Sequence, residues 1–206
     1  FVALLDHDDE LTEDALVHVA QAIQNNPDLD LIYSDEDKID SSGRRFSPHF
    51  KPDWNPELFY CYNVVTHLAV FRKKLVEDVG AFRVGFEGSQ DYDLVLRVVE
   101  ASHEERIHHI PKILYHWRVI PGSTAGHLGA KNYAFTNAEK ALSEHFVRRG
   151  VKAEVVAGAP GNHRVLYALS PPPKVTAIIC TKDRVKLLET IVTGFLEQTS
   201  YPNRDL

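Results

Sequence analysis

The sequence contains no methionine and only two cysteines, Cys61 and Cys180, far apart and in apolar surroundings. Such a pair provides neither a disulfide framework nor a zinc-binding spacing, and it suits a reducing compartment. Histidines number 11, yet none stands in a His-Glu-x-x-His pattern. No run of about twenty apolar residues occurs, so no segment reads as membrane-spanning. No signal peptide is visible. Positive charge is also short: 23 Lys and Arg against 29 Asp and Glu leave a net charge of −6. Without a basic stripe interleaved with aromatics, a nucleic-acid-binding surface is excluded. The missing initiator methionine, and a first residue inside what reads as a strand, lead us to expect a piece of a longer protein.

What is present is the composition of a soluble globular chain, 44% hydrophobic and 25% charged. Phe1-Val2-Ala3-Leu4-Leu5 is an apolar run that reads as a buried strand. It stops in Asp6-His7-Asp8-Asp9 with no turn glycine between. In parallel α/β sheets the C-terminal ends of strands open onto the ligand crevice. Carboxylates one residue apart there can converge on Mg²⁺ or Mn²⁺, which take oxygen ligands and keep positions open for a substrate phosphate. The alternative is local: Asp8 or Asp9 caps the helical pattern that opens at Leu11, or favours its positive end.

Apolar positions Leu11, Ala15, Leu16, Val19, Ala20 and Ile23 form a helical stripe ended by Asn25-Asn26-Pro27. Residues 29–33 read as a short strand running into Ser34-Asp35-Glu36-Asp37, and residues 40–57 as a long loop. Asn63 to Phe71 reads as a strand, and Lys73 to Val79 as a short helix ended by Gly80. Ser89 is placed to cap a helix that begins with Gln90-Asp91-Tyr92-Asp93. Arg106 to Tyr115 reads as a strand leading into His116-Trp117-Arg118. Residues 119–130 read as a Gly/Ser loop, and Lys131 to Arg149 as a long helix with Gly150 past its end. Residues 151–169 suggest a hairpin around Pro160-Gly161. Pro171-Pro172-Pro173 marks a boundary, after which a strand from Val175 to Cys180 and a helix from Val185 to Leu196 start a new βα unit.

Four strand or loop ends thus carry polar clusters: Asp6-His7-Asp8-Asp9, Ser34-Asp35-Glu36-Asp37, Gln90-Asp91 and His116-Trp117-Arg118. In an α/β layer architecture these ends can face one crevice. The clusters, taken in order with Gly85-Phe86-Glu87-Gly88-Ser89 before Gln90 and Tyr115 before His116, resemble the family 2 inverting glycosyltransferases of the GT-A fold. The closest likeness is to bacterial members that build O-antigen and other surface polysaccharides, including rhamnosyltransferases. The resemblance covers residues 1 to about 150.

It implies an α/β fold with a Rossmann-like mixed sheet, lacking the N-terminal nucleotide-binding half of a GT-A domain. The expected organisation is the C-terminal part of that domain over 1–150, a hairpin and proline-rich linker over 151–173, and the opening strand and helix of a second such domain over 174–206. The implied activity is metal-dependent inverting transfer from a nucleotide-sugar donor to a saccharide or lipid-linked acceptor. The implied cofactor is Mn²⁺ or Mg²⁺, and no nucleic-acid partner is expected. A cytoplasmic location follows, at the inner membrane face if the full-length protein associates peripherally.

The resemblance also assigns roles. Asp6 and Asp8 match the metal-binding Asp-x-Asp motif, Asp6 alternatively facing the ribose, and His116 matches a histidine that completes the metal shell in some relatives. Asp91 matches the catalytic base, although the acid that usually precedes it is here Gln90; the alternative for Asp91 is a charge at a helix N-terminus. Asp93 reads as a helix-face charge or a supporting group. Arg118 suits a bidentate contact to a diphosphate, or a surface ion pair. Asp35, Glu36 and Asp37 are expected near the acceptor or bracing the loop at 40–57. Trp54 either stacks on a sugar ring or belongs to the core. Thr181 and Asp183 match positions that contact the nucleotide in the second domain. One further expectation is that residues 174–180, in cis or from a neighbouring molecule, fill a vacant position at the sheet edge.

Overall fold

The computed structural model describes residues 1–119 and 132–206. They divide into two units, Phe1–Tyr167 and Ala168–Leu206.

The first unit is mixed α/β. Its six-stranded sheet comprises β1 (Val2–Leu4), β2 (Glu10–Leu11), β3 (Leu31–Ile39), β4 (Arg45–His49), β5 (Ala69–Phe71) and β6 (Ile107–Arg118). The order is β1-β5-β3-β6-β2, with β4 pairing the second half of β3. Only β3 and β6 run parallel; every other pairing is antiparallel. Alternation along β3 separates two cores. Leu31 and Tyr33 face a cluster with Phe59, Tyr92, Leu94 and Leu142, whereas Ile32 faces one with Ala15, Val19, Val70 and Leu114. Helix α1 (Ala15–Asn25) therefore covers one face of the sheet. Helices α2 (Pro56–Cys61), α4 (Gln90–Glu100) and α5 (Asn132–Arg148) cover the other, with α3 (Lys73–Asp78) packed beside α4. The layering is compatible with a Rossmann-like fold.

The structure departs from the sequence reading in the middle of the sheet. The strand expected to stop before the acids continues through them to Ile39, with Ser34, Asp35, Glu36 and Asp37 all buried. Each acid has a partner on a neighbouring strand or loop, which makes burial tolerable. The parallel register with β6 slips between Ser34 and Glu36, where Pro111, lacking an N–H, cannot continue the ladder. Part of the expected loop at 40–57 is β4. The strand expected over 63–71 contracts to Ala69–Phe71, which leaves Asn63, Thr66 and His67 off the ladder.

Ser89 occupies the position before α4 but does not cap it: its hydroxyl donates to the Ala134 carbonyl at 2.7 Å. Gly88 explains why the two segments approach so closely. Its φ is +81°, and a Cβ there would lie 2.8 Å from the Tyr133 ring and 2.9 Å from the Ala134 Cβ. The expected Gly/Ser loop lies outside the described residues from position 120 onward. Strands β7 (Ala153–Ala157) and β8 (His163–Tyr167) pair as an antiparallel hairpin that packs on α5 and α2.

Helices α4 and α5 are clamped by Glu100, which accepts from His145 Nδ1 at 2.6 Å and from Arg148 Nε and Nη2 at 2.8 and 2.6 Å. Burial pushes the Glu100 carboxyl up, but the hydrogen bonds from His145 and Arg148 outweigh it and bring it from 4.5 to about 2. A carboxyl depressed in the folded state stabilises fully above its unfolded pKa, and that contribution fades as pH falls from about 4.5 toward 2. Glu100→Gln is therefore expected to destabilise by about 2 kcal/mol at neutral pH, with the gap to wild type closing near pH 2. Urea titrations of both proteins across that range measure it.

The second unit holds β9 (Val175–Thr176), α6 (Val185–Gln198) and β10 (Arg204–Asp205). β9 and β10 are parallel, Val175 opposite Arg204 and Thr176 opposite Asp205, so this unit is a β-α-β crossover. Within this unit β9, the first part of the segment expected to fill a sheet-edge position, pairs with β10.

Candidate functional site

Strands β1 and β2 lie at opposite ends of the sheet order, yet only Leu5–Asp9 separate them. The link must cross from the β5 side to the β6 side. It does so through a turn in which the Asp9 N–H donates to the Asp6 carbonyl at 3.2 Å. Residues three apart thereby meet, and the segment preceding β5 brings His67 to them. Ligand atoms of Asp6, Asp9 and His67 all lie within 4.8 Å of one another. Asp6 is exposed and the other two are half-buried.

His67 and Asp9 are each held by neighbouring groups. His67 has its backbone N–H and its Nδ1 both 2.8 Å from Glu36 Oε2. With Nδ1 protonated toward that carboxylate, Nε2 carries the free lone pair. The imidazole stacks on the Tyr115 ring, centroids 4.6 Å apart and planes 17° from parallel, and touches Trp117 at 5.3 Å. Asp9 Oδ1 accepts from the Arg118 N–H at 2.8 Å and Oδ2 accepts from the Tyr115 hydroxyl. Burial pushes the Asp9 carboxyl up, and the nearby Asp6 charge adds to this; the bonds from Tyr115 and Arg118 only partly offset them. Burial also pushes Glu36 up, but hydrogen bonds from His49 and His67 and the charge of Lys51 hold it well below the usual carboxylate range. The Lys51 ammonium is itself buried, which pulls it down to about 8 against the opposing pull of Glu36 and Asp35. It donates to the His67 carbonyl at 2.5 Å.

Asp8 and His116 are not brought into this cluster. The Asp8 carboxylate lies 3.7 Å from His7 Nδ1, and His116 Nδ1 is 2.5 Å from Asp37 Oδ1. Asp37 also accepts from Arg45 Nε at 2.7 Å. Asp35 accepts from the Lys51 N–H at 2.9 Å and lies 2.8 Å from His109 Nε2. Both carboxylates are thus engaged inside the sheet. Arg118 is tied to the same turn, its Nε donating to the Asp8 carbonyl at 2.5 Å and its Nη2 to Glu10. Trp54 is half-buried and packs 5.1 Å from the Phe59 ring at the margin of the core.

Asp91 is half-buried in the first turn of α4. Its Oδ2 accepts from Thr66 Oγ1 at 2.9 Å and from Asn63 Nδ2 at 3.0 Å. Both hydrogen bonds fall on one oxygen. The segment Asn63–His67 therefore reaches Asp91 at one end and Asp6 and Asp9 at the other. Gln90 turns away into a local bond, its Oε1 accepting from the Gly88 N–H at 2.7 Å. Asp93 is fully buried between Arg83 and Arg97 rather than lying on an exposed helix face. In the second unit, Thr181 lines a cavity of about 180 Å³ with Cys180, Lys182, Arg184 and Leu187. Asp183 is exposed and has a φ of 53°.

Sequence reasoning missed His67, Tyr115, Asn63 and Thr66 as members of the site, and it placed Glu36 at the acceptor or against the loop rather than behind His67. The signal for His67 was its place between Thr66 and the apolar Leu68-Ala69-Val70-Phe71. A polar residue at the mouth of a three-residue buried strand is positioned like the acids after β1.

No protein-family model matches the chain. Over its whole length it is 48% identical to an uncharacterized protein, y4gI, of Sinorhizobium fredii, of which it covers 23%. Over 98% of its length it is 42% identical to the O-antigen biosynthesis protein RfbC of Myxococcus xanthus, of which it covers 16%. The chain therefore spans less than a quarter of the length of the curated relatives it matches. Among the described residues no helix is long and apolar enough to cross a membrane.

Proposed function

We propose that this chain is part of a metal-dependent, inverting glycosyltransferase of the family 2, GT-A type, acting in bacterial surface polysaccharide synthesis. The observation that carries the reading is the convergence of Asp6, Asp9 and His67 at the end of β1. Two carboxylates and an imidazole suit Mn²⁺; the carboxylates alone would suit Mg²⁺ equally, but imidazole is a poor Mg²⁺ ligand. The Glu36 carboxylate behind His67 is the outer hydrogen bond that metal-binding histidines ordinarily have. A cation at this position supplies charge that offsets the negative charge growing on a departing nucleoside diphosphate.

The chain's own groups divide the remaining work. Asp91 accepts the proton of an acceptor hydroxyl at Oδ1, the oxygen that Asn63 and Thr66 leave free. The acceptor oxygen forms its bond to the anomeric carbon as the bond to the diphosphate breaks on the opposite face, which inverts that carbon. The donor is a nucleotide sugar and the acceptor a saccharide or lipid-linked saccharide, used at the cytoplasmic side of the membrane. The name of the Myxococcus relative supports the pathway. Residues 174–206, with Thr181 in its cavity, fit the opening of a second such domain.

The rival reading is a carbohydrate-binding or scaffold module without catalysis. Calorimetric titration of the full-length protein with a panel of nucleoside diphosphates, with and without Mn²⁺, separates the two. We expect Mn²⁺-dependent binding of one nucleotide, reduced at least about tenfold by Asp9→Ala and far less by Asp8→Ala. Absence of nucleotide binding under both conditions would favour the module.

A further inference from the structure

Tyr115 is completely buried on β6, and its single polar atom emerges at the candidate cation site. Its hydroxyl accepts from the Asp6 N–H at 3.3 Å and donates to Asp9 Oδ2. Its ring lies flat against the His67 imidazole at 4.6 Å. One side chain therefore touches all three members of the cluster, and does so from the rigid centre of the sheet. Glu36, directly across the β3–β6 ladder from Tyr115, fixes the same imidazole from its Nδ1 edge. The ring of Tyr115 sets the plane of His67, and Glu36 sets its rotation within that plane.

We infer that Tyr115 is the positioning residue of the site: it aligns Asp6, Asp9 and His67 for a divalent cation without itself being a ligand. The inference rests on the metal-dependent reading above. A phenol is well suited to this task. It is stiff, with only two side-chain torsions, and sits anchored among Leu114, Ile32 and Val70. Preorganised ligands lose less conformational freedom on binding, so the gain appears as affinity. Asp9 gains most from it, because among the described residues its half-buried carboxylate would otherwise have only the Arg118 N–H as a donor.

Tyr115→Phe removes one oxygen and keeps the ring, the core packing and the stack on His67. Tyr33→Phe is the matched control: Tyr33 is an equally buried strand tyrosine, on the neighbouring β3, whose hydroxyl donates to the Pro52 carbonyl at 2.7 Å. Tyr115→Phe loses the hydroxyl's bonds to the Asp6 N–H and to Asp9, and Tyr33→Phe loses the one to Pro52, so each should show a small fall in Tm, somewhat larger for Tyr115→Phe. Mn²⁺ affinity of the full-length protein, read from the electron paramagnetic resonance of free Mn²⁺, distinguishes them. We expect Tyr115→Phe to weaken Mn²⁺ binding about 10- to 100-fold, as loss of an outer hydrogen bond at a metal site does, and Tyr33→Phe to leave it unchanged. In an Asp9→Asn background, Tyr115→Phe should cost less than in the wild type, because part of its effect runs through the Asp9 contact. Equal Mn²⁺ affinity in wild type and Tyr115→Phe overturns this inference and leaves the proposed function standing. Failure of the wild type to bind Mn²⁺ overturns both.

Discussion

Asp91→Asn is expected to lower the turnover of the full-length enzyme by about 10²- to 10⁴-fold, the usual contribution of a positioned general base. The substitution is informative because the local hydrogen bonds can survive it. Asn63 and Thr66 both donate to Oδ2. An asparagine can present its carbonyl oxygen to them, which turns its NH₂ group to where Oδ1 stood. The site then offers a donor in place of a proton acceptor. The competing role, a negative charge favouring the N-terminus of α4, predicts something different. Loss of such a charge costs about 0.3–1 kcal/mol of stability and leaves chemistry alone. Rate and thermal midpoint measured on the same variant decide between them. A hundredfold fall in turnover with little change in Tm or donor KM supports the base. An unchanged rate with a slightly lower Tm leaves Asp91 as a helix charge.

Asp93, two residues on, is expected to matter for stability rather than for chemistry. Its carboxylate is fully buried and accepts from Arg97 Nε and Nη2 at 3.0 and 2.7 Å, and from Arg83 Nε at 3.2 Å. Burial pushes its pKa up, but the two guanidinium groups outweigh this and hold it below the usual range. Arg97 also donates to the carbonyls of Val79 and Ala81 at 2.5 and 2.6 Å, while Arg83 reaches Glu144 on α5 at 2.9 Å. The network ties α4 to the end of α3 and to α5. Asp93→Ala leaves the buried Arg97 without its counter-charge. Removing one partner of a buried pair costs about 3–5 kcal/mol, and in a unit of this size that lowers Tm by roughly 6–20 °C. Differential scanning calorimetry checks it. A shift below about 2 °C would mean that water enters and solvates the arginine. The double substitution Asp93→Leu with Arg97→Leu should recover part of the loss, since no charge is then stranded.

Asp91 and Asp93, separated by one residue, illustrate how much was legible in the sequence. Both stand in the first turn of α4 and look alike in one dimension. Their difference comes from Asn63 and Thr66 on one side and from Arg83 and Arg97 on the other, and only tertiary packing supplies these. The strand at 1–5, the helix within 11–25 and the hairpin within 151–169 were readable because each obeys a short period or a turn signal, but β1 is only partly buried, with Phe1 and Leu5 exposed, and Leu11 belongs to β2 rather than to the helix. The path of β3 was not. Propensity argues for ending a strand at three consecutive acidic residues, and nothing local shows that His49, His67, His109 and His116 will meet them. At the candidate site the acidic turn was visible, but its geometry was not. A turn closed by the Asp9 N–H on the Asp6 carbonyl pairs residues three apart, whereas an extended chain would pair residues two apart.

The acids of β3 also impose an order on synthesis. Glu36 finds His49 13 residues later and Asp35 finds the Lys51 amide 16 residues later, so the antiparallel half of their environment can form early. His109 and His116 follow Asp35 and Asp37 only after 74 and 79 residues. At ribosomal elongation rates of about 5–20 residues per second, that delay is roughly 4–16 s. Throughout it the parallel side of β3 has no strand to join, and its carboxylates keep their water. The turn carrying Asp6 and Asp9 is made before β6, and its bonds to Tyr115 and Arg118 can form only once β6 has emerged.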